Sequence, residues 1–268
     1  VMSAMRLALR EQPPERLILS VINPPSLAGV GEREIAELDV GTSRIGVRLG
    51  DCFTITAGTL DEIRIEGGSS RLDNLGLGLA EGTIRLEGDA GQRLGFGMSG
   101  GEIHVSGSVG PYVGSGATGG LMTIGGDADD HAGGAVHGAK GGLCGGTIVI
   151  RGRAGARVGD RMRSGLIIAE QTGPYAGSRM IAGTIVAGTV GDYPGYAMRR
   201  GTLLVREHGL PVPSFVETGV HRLVFVRILE RAVRLFAPHL AELAREDLYR
   251  RAGDLATLGK GELLAPHQ

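Results

Sequence analysis

The chain has 268 residues and a formal net charge of -1, so its overall charge gives no electrostatic reason to expect nucleic acid as a partner. Tryptophan is absent and aromatic residues make up 4% of the sequence, which argues against platforms for stacking bases. Cys52 and Cys144 form no CxxC pair, and the longest uncharged stretch is rich in glycine and serine. We therefore expect a reduced, cytoplasmic protein without a secretory leader or a membrane span.

The first 57 residues differ from those that follow, because they carry no repeat. Short apolar runs at residues 5–9, 16–20, 44–49 and 52–56 are typical of strands, and proline pairs separate some of them. Between them, Ile35 and Leu38 lie three apart among charged residues, which predicts one or two short helices over residues 26–38. We therefore predict that residues 1–57 form a small N-terminal α+β cap.

A repeated phrase runs through residues 61–209. Seven copies begin with a glycine that is followed by apolar residues, at Gly82, Gly101, Gly120, Gly146, Gly165, Gly183 and Gly201. These starts are 19, 19, 26, 19, 18 and 18 residues apart. A second phrase, Gly-x-x-x-Gly, recurs inside the units, for example at residues 110–114 and 173–177. Two phrases in a fixed register identify a repeat protein.

The length of the repeat limits what it can fold into. Helical-hairpin repeats need about 33 residues or more, so these shorter units exclude them. Apolar residues alternate within each unit, as Ile84 and Leu86 do, which is the spacing of a strand with one buried face. A left-handed hexapeptide helix would need an aliphatic residue at every sixth position, but the step from Ile185 reaches Gly191. We predict a parallel β-helix of about 7–8 coils over residues 58–209.

The unit between Gly120 and Gly146 is seven residues longer than its neighbours. An insertion that the stack does not require is typical of a functional or partner-binding loop. Its acidic and histidine side chains are Asp127, Asp129, Asp130, His131 and His137. They are either ligands for a metal ion or the solvated rim of a loop, and the spacing of the two histidines matches no established metal motif. We predict that these five residues contact a partner and that they hold no metal.

The second half of the repeats is basic. Residues 146–206 contain nine arginines and three acidic residues, a local charge of +6 in a chain of -1 overall. From their positions in successive repeats we expect a ladder formed by Arg161, Arg163, Arg179, Arg199 and Arg200. Two interpretations stay open: the ladder is ordinary solvated surface, or it lines a groove for an acidic partner or a polyanionic ligand.

After residue 209 the repeat stops at Pro211 and Pro213. Residues 222–236 place apolar side chains on one stripe and charged side chains on another, which predicts an amphipathic helix. A second helix is predicted to start at Pro238, and the tail after residue 253 is predicted to be loose. Residues 210–268 thus form a predicted C-terminal helical segment, which covers the last repeat or contacts another subunit.

The sequence contains no arrangement that predicts catalysis. Two G-x-G-x-x-G matches, at residues 95–100 and 114–119, are each followed by a predicted strand instead of the helix that a dinucleotide site requires. No serine or cysteine nucleophile lies beside a partner in a known order. The remaining histidines stand singly, at His104, His208, His221, His239 and His267. We predict no catalytic residue and no catalytically bound cofactor. The alternative is a catalytic or metal-binding domain centred on residues 127–140.

Several stretches resemble the C subunit of formylmethanofuran dehydrogenase. They are the glycine-spaced repeats, with AGSRM at 176–180 and PGYAMRRG at 194–201, and the flanks at 17–49 and 215–229. Within that family they are most similar to the bacterial branch, the C subunit of the formyltransferase/hydrolase complex of methylotrophs, and the resemblance covers nearly the whole chain. The repeats alone also resemble the C-terminal β-helix of glutamate synthase, so a domain of that kind is a further alternative.

The resemblance implies a right-handed β-helix and a noncatalytic scaffold role in a cytoplasmic complex. Such complexes transfer a formyl group from formyl-tetrahydromethanopterin to methylofuran and hydrolyse it to formate, in formaldehyde oxidation. The chemistry is implied to lie on other subunits: a zinc-dependent hydrolase subunit, its partner subunit and a formyltransferase subunit. Because methylofuran-type carriers bear glutamate chains, the resemblance makes the five arginines a predicted binding strip for that chain.

Overall fold

The structure, a computed structural model, describes residues 4–44, 46–244 and 247–266. Within these ranges the chain is mainly β, with fifteen strands and five short helices. Thirteen strands form one large, mostly parallel sheet, and the other two form a small parallel sheet. The expectation of a mainly β chain is confirmed. His267 and residue 45, which belongs to a predicted strand, lie outside the described ranges.

The N-terminal region contributes its first and last strands to the large sheet. It contains β1 (Ala4–Leu9), β2 (Leu17–Ile18), α1 (Pro24–Leu27), α2 (Glu32–Ala36), α3 (Leu49–Cys52) and β3 (Phe53–Thr56). β1 pairs antiparallel with β3 and parallel with β4 (Thr59–Glu66). The strand predicted over residues 44–49 is wrong in its described part, because Arg48 makes an isolated bridge to Asp39 and Leu49 begins α3. Gly46, at φ 72°, interrupts the extended backbone there.

The repeats supply a run of parallel strands. After β5 (Leu72–Asp73), which pairs with β2, come β6 (Thr83–Glu87), β7 (Glu102–Val105), β8 (Thr118–Ile124), β9 (Cys144–Ala154), β10 (Ser164–Thr172), β11 (Thr184–Val190) and β12 (Arg200–His208). From β4 through β6 to β12, each of these longer strands pairs in parallel with the next. The register places one fully buried apolar residue of each repeat opposite the next: Ile84, Ile103, Met122, Ile148, Ile167, Ile185 and Leu203.

The glycine that starts each repeat is required by the close approach of neighbouring repeats. Gly101 has φ 70°, and a Cβ atom added to it would lie 2.6 Å from the carbonyl oxygen of Gly82, the equivalent residue one repeat earlier. Gly146 stands in the same relation to Gly120, also at 2.6 Å. A side chain at this position would therefore meet both an unfavourable backbone conformation and a backbone atom that cannot move aside.

The C-terminal region adds three strands and two helices. They are β13 (Val216–Arg222), α4 (Val226–Arg234), α5 (Pro238–Ala241), β14 (Asp247–Gly253) and β15 (Lys260–Pro266). β15 pairs in parallel with β12, and β14 and β13 follow it in antiparallel order. The expectation of a loose tail after residue 253 is wrong, because Leu263 and Leu264 are buried and continue the apolar rows of β12.

Helices α4 and α5 cover one face of the last repeats. Val149, Ile168, Val186 and Leu204 project from β9 to β12 into a second apolar cluster, separate from the main core. The buried side of the helices completes that cluster with Val226, Leu229, Val233 and Leu240. The predicted covering of the last repeats is therefore present, although α4 is shorter than the helix predicted over residues 222–236 because β13 extends to Arg222. Each helix in the described ranges is too short or too polar to cross a bilayer.

Strands from the N-terminal, repeat and C-terminal segments all join the same sheet. The division into domains at residues 57 and 209 stays a prediction.

Candidate functional site

The long repeat departs from its neighbours after Gly134. The amide of Leu143 donates a hydrogen bond to the carbonyl of Gly133. In the next repeat, the amide of Arg163 donates one to the carbonyl of Leu143. Leu143 is thus back in the regular register, and the seven extra residues lie between Gly134 and Leu143. The insertion is therefore a loop beside the next repeat, C-terminal to the aspartates.

The three aspartates of the long repeat are bound to backbone amides. Asp127 Oδ1 accepts a hydrogen bond from the amide of Arg153 at 2.7 Å, and Asp130 Oδ1 accepts one from the amide of Ala156 at 2.7 Å. Asp129 Oδ1 accepts one from the amide of Asp130 at 2.8 Å. The first two bonds tie the long repeat to the following one. Within the described ranges, no cluster of three or more His, Cys, Asp or Glu side chains has the arrangement of a metal site.

The inserted loop closes one side of a cleft of about 350 Å³. The residues that line it are His131, Ala135, Val136, His137, Gly138, Arg157, Asp160, Arg161 and Arg179. The structure thus brings Arg161 and Arg179, two of the predicted ladder arginines, together with His131 and His137 from the predicted partner contact. Arg163, Arg199 and Arg200 do not line this cleft.

One column of side chains passes beside the cleft. It consists of the middle residue of each Gly-x-x-x-Gly phrase and of the matching residue of the long repeat, where Asp129 replaces the first glycine. It includes Tyr112, His131, Arg157, Tyr175 and Tyr193, all with φ between 58° and 66°. Neighbours in the column stack: Tyr112 and His131 with ring centroids 4.9 Å apart, Arg157 over the ring of Tyr175 at 5.1 Å, and Tyr175 and Tyr193 at 5.5 Å. The left-handed conformation costs about 1–2 kcal/mol per non-glycine residue, so the column is a costly arrangement to keep.

The two histidines of the cleft have different surroundings. His131 is half-buried, and its burial lowers its pKa despite the opposing effect of the nearby Asp160 carboxylate. Among the described residues no hydrogen-bond partner reaches its buried Nδ1 atom. His137 is exposed on the loop, and its Nδ1 atom lies 3.2 Å from the hydroxyl of Tyr112. Tyr112 therefore links the loop to the regular column.

Asp160 is the buried charge of the cleft, with 1% of its surface exposed. It accepts two parallel hydrogen bonds from Arg179, from Nε at 2.9 Å and from Nη2 at 2.6 Å, and a third from the hydroxyl of Ser178 at 2.7 Å. These bonds to Asp160 raise the pKa of Arg179. A buried carboxylate needs such partners, so much of the charge of Arg179 is already neutralised within the chain.

The other predicted arginines have separate positions. Arg161 donates from Nη1 to the carbonyl of Ala139 at 2.9 Å and so holds the inserted loop. Arg161 and Arg179 occupy equivalent positions of adjacent repeats, with φ of 54° and 53°. Arg163 and Arg199 belong to a different register, and Arg200 begins β12 opposite Lys260. The expectation of a single ladder is wrong: the five arginines fall into two columns and a strand end.

The cleft suits the binding of an anion. It contains three arginines and one aspartate, a net charge of +2 from 3 - 1 before the histidines are counted. Sequence reasoning missed Arg157 and Asp160, which line the cleft, and Tyr112, which contacts His131 and His137 beside it. The signal was available for Arg157 and Tyr112, because both are the middle residue of the second repeated phrase. Asp160 gave no such signal, because its role depends on burial.

The sequence was compared with protein-family models, with known proteins and with solved structures. No family model matches the sequence. The C subunit of the formyltransferase/hydrolase complex (Fhc) of Methylorubrum extorquens is 55% identical over 266 residues, which span 99% of this chain and 100% of that protein. The chain belongs to the family of formyltransferase/hydrolase complex C subunits. The predicted resemblance is thereby confirmed.

A solved structure supports the same family. It is the crystal structure of the formyltransferase/hydrolase complex (FhcABCD) from Methylorubrum extorquens in complex with methylofuran. One of its chains is 55% identical to this one, with a TM-score of 0.95, and the match covers 98% of this chain and 100% of that chain. A chain of that complex therefore has the same fold as this one.

Proposed function

We propose that this chain is a noncatalytic structural subunit of a formyltransferase/hydrolase complex. The complex transfers a formyl group from formyl-tetrahydromethanopterin to methylofuran and hydrolyses it to formate. The supporting observation is the 55% identity to the C subunit of such a complex over nearly the full length of both chains. The cleft agrees with a binding role, because its charged groups are arranged to hold an anion.

The partners follow from this role. They are a zinc-dependent hydrolase subunit, its partner subunit and a formyltransferase subunit, and the zinc ion and tetrahydromethanopterin belong to those subunits. We propose that the assembly lies in the cytoplasm, where Cys52 and Cys144, both free thiols, would stay reduced.

The finer fold proposed for residues 58–209 is a right-handed parallel β-helix of about 7–8 coils. Its support is the pairing of each strand with the strand one repeat later, together with a second row of parallel bridges that joins Ala90, Val109, Ala128 and Ala154. The segments 1–57 and 210–268 would then be the caps of its two ends.

The arginine cleft is proposed to bind the glutamate chain of methylofuran. Arginine presents a planar fork of donors that matches a carboxylate, so the donor set fits a polycarboxylate. Arg157, Arg161 and Arg179 would hold one carboxylate in the cleft. Arg163 and Arg199, in their separate column, and Arg200, at the start of β12, would bind further carboxylates of the chain. The loop and the aspartates of the long repeat (Asp127, Asp129, Asp130, His131 and His137) are proposed to contact a partner subunit. A groove of about 610 Å³ passes these aspartates.

Purification of the native assembly tests the proposed function. The chain is tagged in its own host, and the proteins that elute with it are identified by mass spectrometry. We expect a hydrolase subunit, its partner and a formyltransferase subunit to co-purify, and formyl transfer to occur in the assembly but not with the chain alone. Isolation of the chain without these subunits, or turnover of substrate by the chain alone, would contradict the proposal.

A further inference from the structure

Helix α4 and its flanking turns carry apolar side chains on two opposite sides. Val226, Leu229 and Val233 are buried on the side that faces the sheet. On the opposite side, Val224 is 82% exposed, Ile228 73% and Leu235 80%. With Arg231 these residues have the spacing i, i+4, i+7 and i+11, so they share one face. We call Val224, Ile228, Arg231 and Leu235 the outer stripe.

The outer stripe differs from the scattered apolar residues of an ordinary surface. A helix that is apolar all round is normally buried, whereas a surface helix is polar on its solvent side. The full burial of one aliphatic side chain of this size is worth about 1.5–3 kcal/mol. Three such side chains on one short helix and its flanking turns therefore provide a substantial driving force for association.

The charge of the helix indicates the kind of partner. α4 carries Arg227, Arg231 and Arg234, and its acidic residue Glu230 accepts a hydrogen bond from Arg234 Nε at 2.7 Å. Arg231 lies inside the stripe and is exposed. In a two-fold pair the stripe would meet itself and bring two copies of Arg231 within about one Debye length, ~8–10 Å, of each other. A second copy of this chain is therefore a poor partner, and a surface with carboxylates is a good one.

We propose that the outer stripe docks into an apolar groove, rimmed by Asp or Glu side chains, on another subunit of the complex. The binding mode is that of an amphipathic helix in a groove, with the apolar residues as anchors and Arg231 paired at the rim. This inference rests on the proposed function, because it takes the partner to be a subunit of the same assembly.

Crosslinking in the assembled complex identifies the partner. The photoreactive residue p-benzoylphenylalanine replaces Ile228 in one sample and Leu210, which is 59% exposed and lies outside the stripe, in another. We expect the probe at position 228 to crosslink to a different subunit, in a peptide that contains acidic residues. Crosslinks from position 228 only to a second copy of the chain, or only within the chain, would overturn the inference.

Substitutions test the strength of the contact. The double variant Ile228→Glu/Leu235→Glu is expected to reduce recovery of at least one other subunit tenfold or more, while Leu210→Glu co-purifies like the wild type. Because the substituted side chains are exposed, thermal unfolding of the variant chain should match that of the wild type. If the double variant does not fold, the Arg231→Glu variant is tested in its place. We expect recovery of that subunit with this variant to fall several-fold at low salt.

The outcomes separate the two proposals. If the wild-type chain co-purifies with the other subunits and the stripe variants co-purify equally well, the docking surface is wrong and the proposed function stands. If the wild-type chain itself does not co-purify with them, the proposed function fails.

Discussion

Arg157 is the residue on which we expect the proposed ligand binding in the cleft to depend most. Asp160 neutralises much of the charge of Arg179, and the loop carbonyl of Ala139 takes one donor of Arg161. In the described part of the chain, the Arg157 guanidinium contacts the ring of Tyr175 and makes no hydrogen bond or ion pair. Its donors are thus available for a carboxylate, and the ring fixes its orientation.

Arg157→Gln should weaken retention of methylofuran without loss of the assembly. A hydrogen bond to a charged group is worth about 1.5–3 kcal/mol, so we expect about tenfold weaker retention or more. The measurement is the methylofuran content of the purified complex after washes of increasing salt. Arg206→Gln is the matched control, because Arg206 is exposed on β12 and does not line the cleft. Retention in the Arg157 variant equal to that in the control would contradict the assignment of the cleft.

The site was predictable in part at this scale. Arg161 and Arg179 were predicted because arginines recur at related positions of the repeat. The contact predicted between the aspartates of the long repeat and a partner stays a prediction, and the sequence does not indicate that two of them bind amides of the next repeat. A carboxylate on a loop and one that ties two repeats together look alike in a sequence, because the difference is a backbone amide 2.7 Å away.

Among the elements, the stack of parallel strands depends on the first glycine of each repeat. Gly101→Ala should destabilise the chain more than Gly116→Ala. Both residues have φ 70°, so both variants incur the left-handed cost of about 1–2 kcal/mol. A Cβ atom at position 116 has no neighbour within 4 Å, whereas one at position 101 meets the carbonyl oxygen of Gly82 at 2.6 Å. Denaturant unfolding of both variants gives the comparison.

The difference between these two variants isolates the close approach of the repeats, because the backbone strain is shared. We expect the Gly101 variant to lose at least about 1 kcal/mol more, the usual size of an overpacking penalty. Equal losses for the two variants would mean that neighbouring repeats can separate at no cost, against the geometry described above.

The strands of the repeat region were predictable because the same pattern of glycines and alternating apolar residues recurs in each unit. The C-terminal tail was not. Residues 260–266 form β15, which pairs with β12, a strand about sixty positions earlier. The periodicity of the sequence cannot predict pairing between strands so far apart. A single strand outside the repeats therefore resembles a loose tail in the sequence. The predicted extent of α4 failed for a related reason, since β13 takes the residues before it into the sheet.

For the whole molecule, the C-terminal segment protects the last repeats. A chain truncated after residue 209 would lose β15 from the edge of β12 and lose α4 and α5 from the apolar face of β9 to β12. We expect this variant to aggregate, because an unpaired strand edge and an uncovered apolar surface both promote association. Light scattering and size-exclusion chromatography measure the effect.

Deletion of residues 135–141 is the control for that truncation. This loop lies outside the strands, so its removal restores a repeat of regular length and should leave the protein monodisperse. A truncated chain that remained as monodisperse as the loop deletion would show that the C-terminal segment is not needed to protect the sheet.

The two margins of the large sheet have a consequence for how such a protein can change in length. β3 at one margin and β13 and β14 at the other run antiparallel to their neighbours, while the interior is a series of alike parallel contacts. A duplicated unit inserted in the interior would create no new type of contact and would leave both margins intact. Two subunits bound at opposite margins would then be moved apart in steps of about 4.8 Å, the spacing of adjacent strands. A chain built in this way can act as a spacer whose length changes during evolution by one repeat at a time.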